Sequence, residues 1–201
     1  MRVVDLCSGL GGSSQAFVDA GDEVIRVDID RGFKPTIQAD VQNLPIRSDF
    51  KPELVIFCPP CQTFSVSSIP FHWNLDGTPK LLGQRMIQLV KNGLAEIQRI
   101  KPDRWIMENP RGMLRTIIGK PRSTIRMSDY GGKAKKPTDL WGNVNLPMLP
   151  AMRSWIKAPR GSHRGTESQQ TAAQRAKWPY GLSQAVRNSL LVRTETSGKQ
   201  E

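Results

Sequence analysis

Two of the three cysteines, Cys58 and Cys61, enclose a pair of prolines, and this segment is the first candidate for chemistry. A redox pair needs backbone N–H groups after its first sulfur to stabilise the thiolate, and prolines supply none. A zinc site needs further ligands, and the two histidines, His72 and His163, are poorly spaced for it. The third interpretation makes Cys61 a nucleophile that the rigid prolines aim, while Cys58 packs in the preceding strand. We therefore expect no metal.

A glycine-rich turn and several carboxylates follow other short apolar runs. The turn at residues 9–12 would let the backbone approach a ligand closely, although such a turn alone is a weak signal of a nucleotide site. Asp28 follows the second apolar run, where a carboxylate can hold two ribose hydroxyls, and Asp40 could accept from an adenine amino group. Either aspartate could equally cap a helix or a turn. Glu108 ends a fourth apolar run.

The apolar runs before these groups are typical of buried strands, because they are rich in branched and aromatic residues and end at breakers. They cover residues 3–6, 24–27, 54–58 and 105–107. Apolar residues in steps of three and four predict a helix over Leu81–Ile100. Alternation of strand and helix predicts a mostly parallel sheet with helices on both faces. Since ligands bind beyond the carboxyl ends of such strands, the candidate groups should gather at one edge.

Weaker patterns complete the predicted organisation. We expect a short helix over Ser13–Ala20, a strand over Ser123–Met127 and a closing helix over Ser183–Val192, whereas residues 131–178 show no sustained period. The expected divisions are a core over 1–139, a short basic insertion over 140–179, and a closing helix and tail over 180–201 that pack back on the core.

Charge is distributed unevenly along the 201 residues. Lysine and arginine number 29 against 18 acidic residues, and the whole excess of +11 lies after residue 100. A one-sided positive field suits a polyanion such as nucleic acid, although a merely solvated basic face is the alternative. No apolar run approaches the ~20 residues of a membrane helix. The odd cysteine count and an acidic residue near the start argue against secretion, so we expect an intracellular, nucleoid-associated protein without a membrane partner.

Three segments together resemble the DNA (cytosine-5) methyltransferase family. They are Asp5-Leu6-Cys7-Ser8-Gly9-Leu10-Gly11-Gly12, Pro59-Pro60-Cys61-Gln62-Thr63-Phe64-Ser65 and Glu108-Asn109-Pro110. They look like the family's cofactor loop, nucleophile loop and catalytic glutamate motif, in the family's order, and the second string is specific. The resemblance continues more weakly through residues 129–131 and the closing helix. It implies a Rossmann-like α/β methyltransferase fold, S-adenosylmethionine as methyl donor and DNA as partner.

The resemblance also implies a role for individual residues. Cys61 would attack C6 of a cytosine flipped from the duplex, and Glu108 would contact the N3 and amino edge of that base. The implied cofactor contacts are Asp5, Cys7, Gly9, Leu10, Gly11, Gly12, Asp28, Ile29, Asp40, Val41 and Pro60. The implied or expected nucleic-acid contacts are Gln62, Ser65, Ser67, Lys135, Lys136, Arg153, Arg160 and Arg164. The segment from Gln62 to Leu75 would close over the flipped base.

The chain departs from the family in several places. Cys7 stands where most members have an aromatic residue against adenine, and Pro110 replaces a common valine. The family's arginine-bearing motif after Tyr-Gly is not recognisable, so Lys136 is expected to take part of its anion-binding role. The insertion over 140–179 would be the target-recognition region, and it is far smaller than the family's usual recognition domain. We therefore expect a short or relaxed target sequence, strong salt dependence or a specificity partner protein. A monomer or weak dimer is expected.

Two other functions stay open on sequence grounds. The same reaction on RNA of the tRNA type is one, because charge does not separate the two substrates. A non-catalytic nucleic-acid-binding protein is the other, which Cys7 and the missing arginine motif favour. The tryptophans Trp141, Trp155 and Trp178 are expected to pack in a small core rather than stack on a base, and Trp73 to pack within its loop.

Overall fold

The computed structural model describes residues 1–133, 136–146, 171, 174 and 176–191. Within these residues seven strands form one sheet: β1 (Arg2–Leu6), β2 (Glu23–Asp28), β3 (Ile37–Gln38), β4 (Leu54–Phe57), β5 (Arg104–Pro110), β6 (Ser123–Arg126) and β7 (Pro137–Gly142). Their order is β3-β2-β1-β4-β5-β7-β6. Strands β1 to β5 pair in parallel, and β7 runs antiparallel to both of its neighbours. The first five strands therefore follow the Rossmann order.

Strand β4 shows how the sheet is buried. All four of its residues are fully buried, which explains why this run is apolar at every position. Alternate residues belong to opposite apolar layers: Val55 and Phe57 to one, Leu54 and Ile56 to the other. Since both faces are covered, the predicted fold class of a mostly parallel sheet with helices on both faces is confirmed.

Five α-helices lie in the described part of the chain: α1 (Gln15–Asp19), α2 (Ile69–His72), α3 (Leu81–Ile100), α4 (Leu114–Ile118) and α5 (Tyr180–Leu191). Helix α3 has the predicted bounds, and Val90, Ile97 and Ile100 bury its apolar face in the layer with Phe57. A β-carbon at Gly93 would overlap the Phe57 ring, so this glycine allows close packing without interrupting the helix.

Three features differ from the sequence predictions. Helix α1 starts at Gln15, because the Ser13 hydroxyl donates to Asp5 instead of capping the helix. Helix α5 starts at Tyr180, earlier than predicted, and the predicted end at Val192 lies outside the described residues. Strand β7 was not predicted, and it crosses the expected boundary between residues 139 and 140. Its residues are ordered by pairing with β5 and β6, which a local pattern does not record.

No helix in the described part of the chain has both the length and the apolar character needed to cross a bilayer.

Candidate active site

The three motifs lie on neighbouring strands that end together at the carboxyl edge of the sheet. Phe57 at the end of β4 pairs with Leu6 of β1 on one side and with Met107 of β5 on the other. The next residue after β4, Cys58, feels the negative charge of Glu108. Burial first and this charge second raise the pKa of the Cys58 thiol well above its usual range. Cys58 therefore stays a protonated thiol, as its predicted packing role requires.

Hydrogen bonds pin the nucleophile loop to the end of β5. Asn109 Nδ2 donates to the carbonyl oxygen of Pro59 over 3.0 Å. Two residues of chain span at most about 7 Å, so Cys61 stays close to Pro59. Glu108 directly precedes Asn109. The structure thus ties the segment before Cys61 to the end of the strand that carries Glu108.

The loop after Cys61 turns tightly and is clamped a second time. The backbone N–H groups of Phe64 and Ser65 both donate to the Cys61 carbonyl oxygen, over 3.0 and 3.1 Å. Met113 N–H donates to the Phe64 carbonyl oxygen over 2.8 Å, and Ser65 forms a β-bridge with Gly112. A β-carbon at Gly112 would overlap that carbonyl group. Gly112 is thus required for the approach of the two segments, and a lone glycine soon after Glu-Asn-Pro was its only sequence signal.

Glu108 is 5% exposed, and only one of its carboxyl oxygens has a hydrogen-bond partner. Oε2 accepts from the indole Nε1 of Trp178 over 3.2 Å. Burial raises the pKa of this carboxyl, whereas the charge of Lys136 and the Trp178 bond act to lower it and the charge of Asp139 acts to raise it. The carboxyl is therefore easier to protonate than an exposed glutamate, which suits a group that must hold or share a proton.

Unpartnered buried polar atoms are concentrated at this edge. Among the described residues they are Asp5 Oδ1, Ser8 Oγ, Thr63 Oγ1, Glu108 Oε1 and Asn109 Oδ1. All five belong to the three motifs. Because buried polar atoms are normally hydrogen-bonded, their concentration in one place indicates a site built for polar ligands.

The glycine turn is tied to the end of β2 through Asp28. Gly9, at φ +49°, donates its N–H to Asp28 Oδ2 over 2.8 Å, and Asp30 N–H donates to Oδ1 over 2.9 Å. Each carboxylate oxygen keeps a further lone pair for a ligand hydroxyl. A β-carbon at Gly9 would meet no atom within 4 Å, so this side of the turn is open.

Arg26 supports the same turn from beneath, a role that the sequence analysis missed. Its guanidinium donates to the Gly11 carbonyl oxygen (3.0 Å), to Ser14 Oγ (2.9 Å) and to Gln15 Oε1 (3.0 Å). A β-carbon at Gly11 would collide with this guanidinium. Since arginine within a strand has many structural uses, no local pattern distinguished it.

The groups at the base of the turn are strongly desolvated. Burial raises the pKa of Asp5 from 3.8 to about 6, although hydrogen bonds from Ser13 and Ser14 and the charge of Arg26 act in the opposite direction. Burial also raises the pKa of the Cys7 thiol, and nearby carboxylates add to this effect. Cys7 is therefore held as a neutral thiol.

The remaining predicted cofactor residues lie in different environments. Leu10 and Ile29 are exposed, and Pro60 is half-buried beside the nucleophile. The Asp40 carboxylate accepts from the backbone N–H (3.0 Å) and side-chain amide (3.2 Å) of Gln42, as a turn-capping residue does. Val41 is buried in the apolar layer that also contains α3. The cofactor roles of these residues stay predictions.

Only part of the predicted nucleic-acid surface lies in the described residues. Gln62 and Ser67 are exposed and Ser65 is half-buried, on the loop that begins at Cys61. Trp73 packs within this loop as predicted, because it is buried and its Nε1 donates to the Thr63 carbonyl oxygen over 2.7 Å. The predicted contacts outside the described residues are Lys135, Arg153, Arg160 and Arg164.

No disulfide joins any two of the three cysteines, all of which lie in the described residues. Across the described ranges, no cluster of three or more histidine, cysteine or acidic side chains is arranged to hold a metal ion. Trp141 and Trp178 are buried in the two apolar layers, as predicted, and Trp155 lies outside the described residues.

The order of strands β1 to β5 defines a Rossmann-like fold, and the three motifs lie at the carboxyl edge of its sheet. The profile of the C-5 cytosine-specific DNA methylases matches residues 1–125. This match covers more than half of the chain, and the chain belongs to the C-5 cytosine-specific DNA methylase family. The family predicted from the three motifs is thereby confirmed. Family members generally use S-adenosylmethionine as the methyl donor.

Solved structures with similar folds include a candidate DNA modification methyltransferase encoded within a prophage of E. coli (21% identity, TM-score 0.49, 71% of this chain and 46% of that chain). Two others are the PH0226 protein of Pyrococcus horikoshii OT3 (20%, 0.37, 62% and 56%) and a mutant of Spodoptera frugiperda DNMT2 (18%, 0.41, 76% and 52%). This chain thus aligns with about half the length of each. No significant match is found among curated protein sequences.

Proposed function

We propose that this chain transfers the methyl group of S-adenosylmethionine to C5 of cytosine in DNA, through a transient covalent bond between Cys61 and a base flipped from the duplex. The observation that supports the proposal is the hydrogen bond between Asn109 and Pro59, which ties the segment before Cys61 to the strand that carries Glu108. Family membership supports the reaction class. Cys61, which forms no disulfide, and the unpartnered Glu108 Oε1 are the groups that the chemistry needs.

The glycine turn has the donor set for the methyl donor. Its open side at Gly9 and the unpartnered Asp5 Oδ1 and Ser8 Oγ fit a polar ligand, and Asp28 has lone pairs for ribose hydroxyls. Asp40 would accept from the adenine amino group. When bound, S-adenosylmethionine supplies an electrophilic methyl group on a sulfonium sulfur.

The chain's own residues then act on the cytosine ring. The Cys61 thiolate forms a bond to C6, and the C5–C6 π electrons make C5 a carbon nucleophile. Glu108 binds the N3 and amino edge and stabilises the charge that moves onto the ring. C5 would take the methyl group as the methyl–sulfonium bond breaks and leaves a neutral thioether; a base or water would then remove the C5 proton, and the C6–S bond would break as the C5–C6 double bond forms again and releases the Cys61 thiolate.

Trapping on 5-fluorocytosine tests this proposal, because fluorine at C5 prevents the proton loss that releases Cys61. Wild-type protein with S-adenosylmethionine should form a stable conjugate with a duplex that contains 5-fluorocytosine. Cys61→Ser should abolish the conjugate. Cys58→Ala is the matched control, since Cys58 packs behind the loop, and it should keep the conjugate.

The same trapping experiment on three nucleic acids distinguishes DNA methylation from RNA methylation and from binding without catalysis. Duplex DNA, single-stranded DNA and tRNA are each offered with 5-fluorocytosine. A conjugate that forms only with tRNA would replace DNA by RNA as substrate. Binding of all three without any conjugate would overturn the catalytic assignment in favour of a non-catalytic binding protein.

The basic second half supports further proposals on binding. We infer that DNA phosphates are gripped by lysines and arginines of the insertion over 140–179, including Arg153, Arg160 and Arg164. So small a recognition region offers little scaffold for base contacts, which favours a short target sequence or a specificity partner. We also propose that the protein acts on DNA inside the cell as a monomer or weak dimer.

A further inference from the structure

Trp178 joins two parts of the site that come from distant segments. It is 3% exposed, and its indole Nε1 lies 3.2 Å from Oε2 of Glu108. Its backbone N and O atoms would each lie 2.9 Å from a β-carbon built on Gly12. Trp178 thus contacts the glycine turn with its backbone and the buried carboxyl with its side chain.

The start of helix α5 holds Trp178 in this position. Pro179 packs against Gly132, where an added β-carbon would come within 3.0 Å of the proline ring. Ser183 Oγ donates to the Ser13 carbonyl oxygen over 2.7 Å and accepts from Ala16 N–H over 3.2 Å. Because these contacts lock the helix to the core, the indole N–H has a defined direction.

The indole N–H distinguishes the two oxygens of the Glu108 carboxyl. An indole nitrogen donates and never accepts, so it requires a lone pair on Oε2. A carbonyl oxygen accepts a hydrogen bond better than a hydroxyl oxygen, so the indole favours the protonated form in which Oε2 is the carbonyl oxygen and the proton is on Oε1, which has no partner. Oε2 retains a second lone pair, so the same carboxyl presents one donor and one acceptor.

The other groups that act on this carboxyl do not make the same distinction. Lys136 and Asp139, from the β7 side, act through charge of opposite sign, and the Cys58 thiol lies nearby at the end of β4. None of these three is hydrogen-bonded to Oε1. The direction of the proton thus depends on Trp178.

We propose that Trp178 is a positioning residue for Glu108: its indole N–H fixes Oε2 as the acceptor and directs the carboxyl proton to Oε1, from which it can be donated to the ring nitrogen of a bound pyrimidine. This inference rests on the proposed cytosine methylation. The donor and acceptor pair matches the N3 acceptor and amino donor of cytosine, and it mismatches uracil and thymine, which present N3–H and a carbonyl oxygen at this edge.

The link between Trp178 and Glu108 can be measured without substrate. In protein labelled with 5-fluorotryptophan, the ¹⁹F resonance that disappears in Trp178→Phe belongs to this residue. We expect that resonance to shift with pH in the wild type, and the shift to vanish in Glu108→Gln. Trp141, whose Nε1 donates to the Gly119 carbonyl oxygen over 3.0 Å, is the matched control and should not follow this titration.

The kinetic test uses Trp178→Phe, which keeps a buried ring and removes the donor. Loss of a donor to the charged form should raise the pKa of Glu108, so the alkaline limb of the pH profile should move up by about one pH unit. At the plateau, kcat should fall about tenfold because the proton is no longer directed, a loss that corresponds to about one hydrogen bond. KM should change little. Trp141→Phe should leave the pH profile unchanged.

The outcomes separate the two proposals. A Trp178 resonance that does not titrate, or that still titrates in Glu108→Gln, would overturn the positioning role, whatever the activity. An unmoved pH limb in a folded Trp178→Phe would also overturn it. If the wild type forms no conjugate with 5-fluorocytosine on any nucleic acid, the proposed function fails first and the positioning role with it. The wild-type titration remains readable even if the variant does not fold.

Discussion

The nucleophile loop and the glycine turn lie at the same edge of the sheet, but they are held by different forces. Neutral hydrogen bonds hold the loop: Asn109 to Pro59, and Met113 to Phe64. Charged groups hold the turn, chiefly Arg26 beneath it and Asp28 beside it, with the buried Asp5 at its base. The position of the nucleophile should therefore be insensitive to pH, whereas the cofactor side should respond to it.

The largest expected effect comes from a change that displaces the nucleophile loop, which neutral hydrogen bonds hold. Gly112→Ala places a β-carbon on the Phe64 carbonyl group and must displace the loop. We expect unfolding free energy to fall by about 3 kcal/mol, and the rate of 5-fluorocytosine conjugation to fall about 100-fold, since a displacement near 1 Å has this cost. Denaturant unfolding and conjugation kinetics measure the two effects.

The control for Gly112→Ala is Gly21→Ala. Gly21, at φ +79°, has open space around it, so the alanine costs backbone strain alone. It should lose about 1 kcal/mol and conjugate at the wild-type rate. Equal loss of conjugation in both variants would contradict the role of Gly112.

The next effect is the pH dependence of stability, which tests the charged groups at the glycine turn. The pKa of folded Asp5 is raised from 3.8 to about 6, so the folded protein binds this proton more tightly than the unfolded chain. This contribution to stability is fully present below pH 3.8 and is lost as the pH rises to about 6. Relative to Asp5→Asn, the wild type should lose about 2 kcal/mol across this window. Unfolding curves at pH 4 and pH 7 measure the difference.

Asp22 provides a control of opposite sign. Although its partial burial acts to raise the pKa of Asp22, hydrogen bonds from Arg187 and the amino terminus lower it. Its contribution should therefore be lost as pH falls. If Asp5→Asn and Asp22→Asn change the pH dependence in the same direction, burial does not control Asp5.

A smaller effect isolates one neutral bond. Asn109→Ala leaves the Pro59 carbonyl oxygen without its donor, and should lower the unfolding free energy by between about 1 and 2 kcal/mol. Conjugation should slow about tenfold at every pH between 5 and 9, because no titrating group is involved. Asn143→Ala is the control: Asn143 Oδ1 accepts from Trp105 N–H over 2.8 Å at the other end of β5, so stability alone should fall.

The smallest effect concerns the support beneath the turn. Arg26→Met removes three hydrogen bonds, one to the Gly11 carbonyl oxygen of the glycine turn and two to Ser14 and Gln15 after it, and should lower stability by about 1 kcal/mol. Binding of S-adenosylmethionine, measured by calorimetry, should weaken about fivefold while conjugation at saturating cofactor is retained. Arg187→Met, which breaks a remote ion pair with Asp22, should cost stability without weakening cofactor binding. Equal affinities in the two variants would refute the role of Arg26.

Much of this architecture was predictable from the sequence, for identifiable reasons. Strand β4 is apolar at every position because helices cover both of its faces, and helix α3 repeats its apolar residues over five turns, so both were recognised with correct bounds or nearly so. The placement of the Cys61 loop and the Glu108 strand at one edge of the sheet followed from the rule that parallel strands end together. These predictions depended only on short apolar runs and on the regular spacing of apolar residues.

The sequence by itself thus determined the strand-and-helix alternation, the family and the edge at which the reactive groups meet. Only the tertiary structure decided the pairing of β7 with β5, the support of Gly11 by Arg26 and the contact of Trp178 with Glu108. Local periodicity is a property of neighbouring residues, because it reflects which face of one element is buried. A donor and an acceptor that lie 70 positions apart, as Trp178 and Glu108 do, meet only when helix α5 docks on the core.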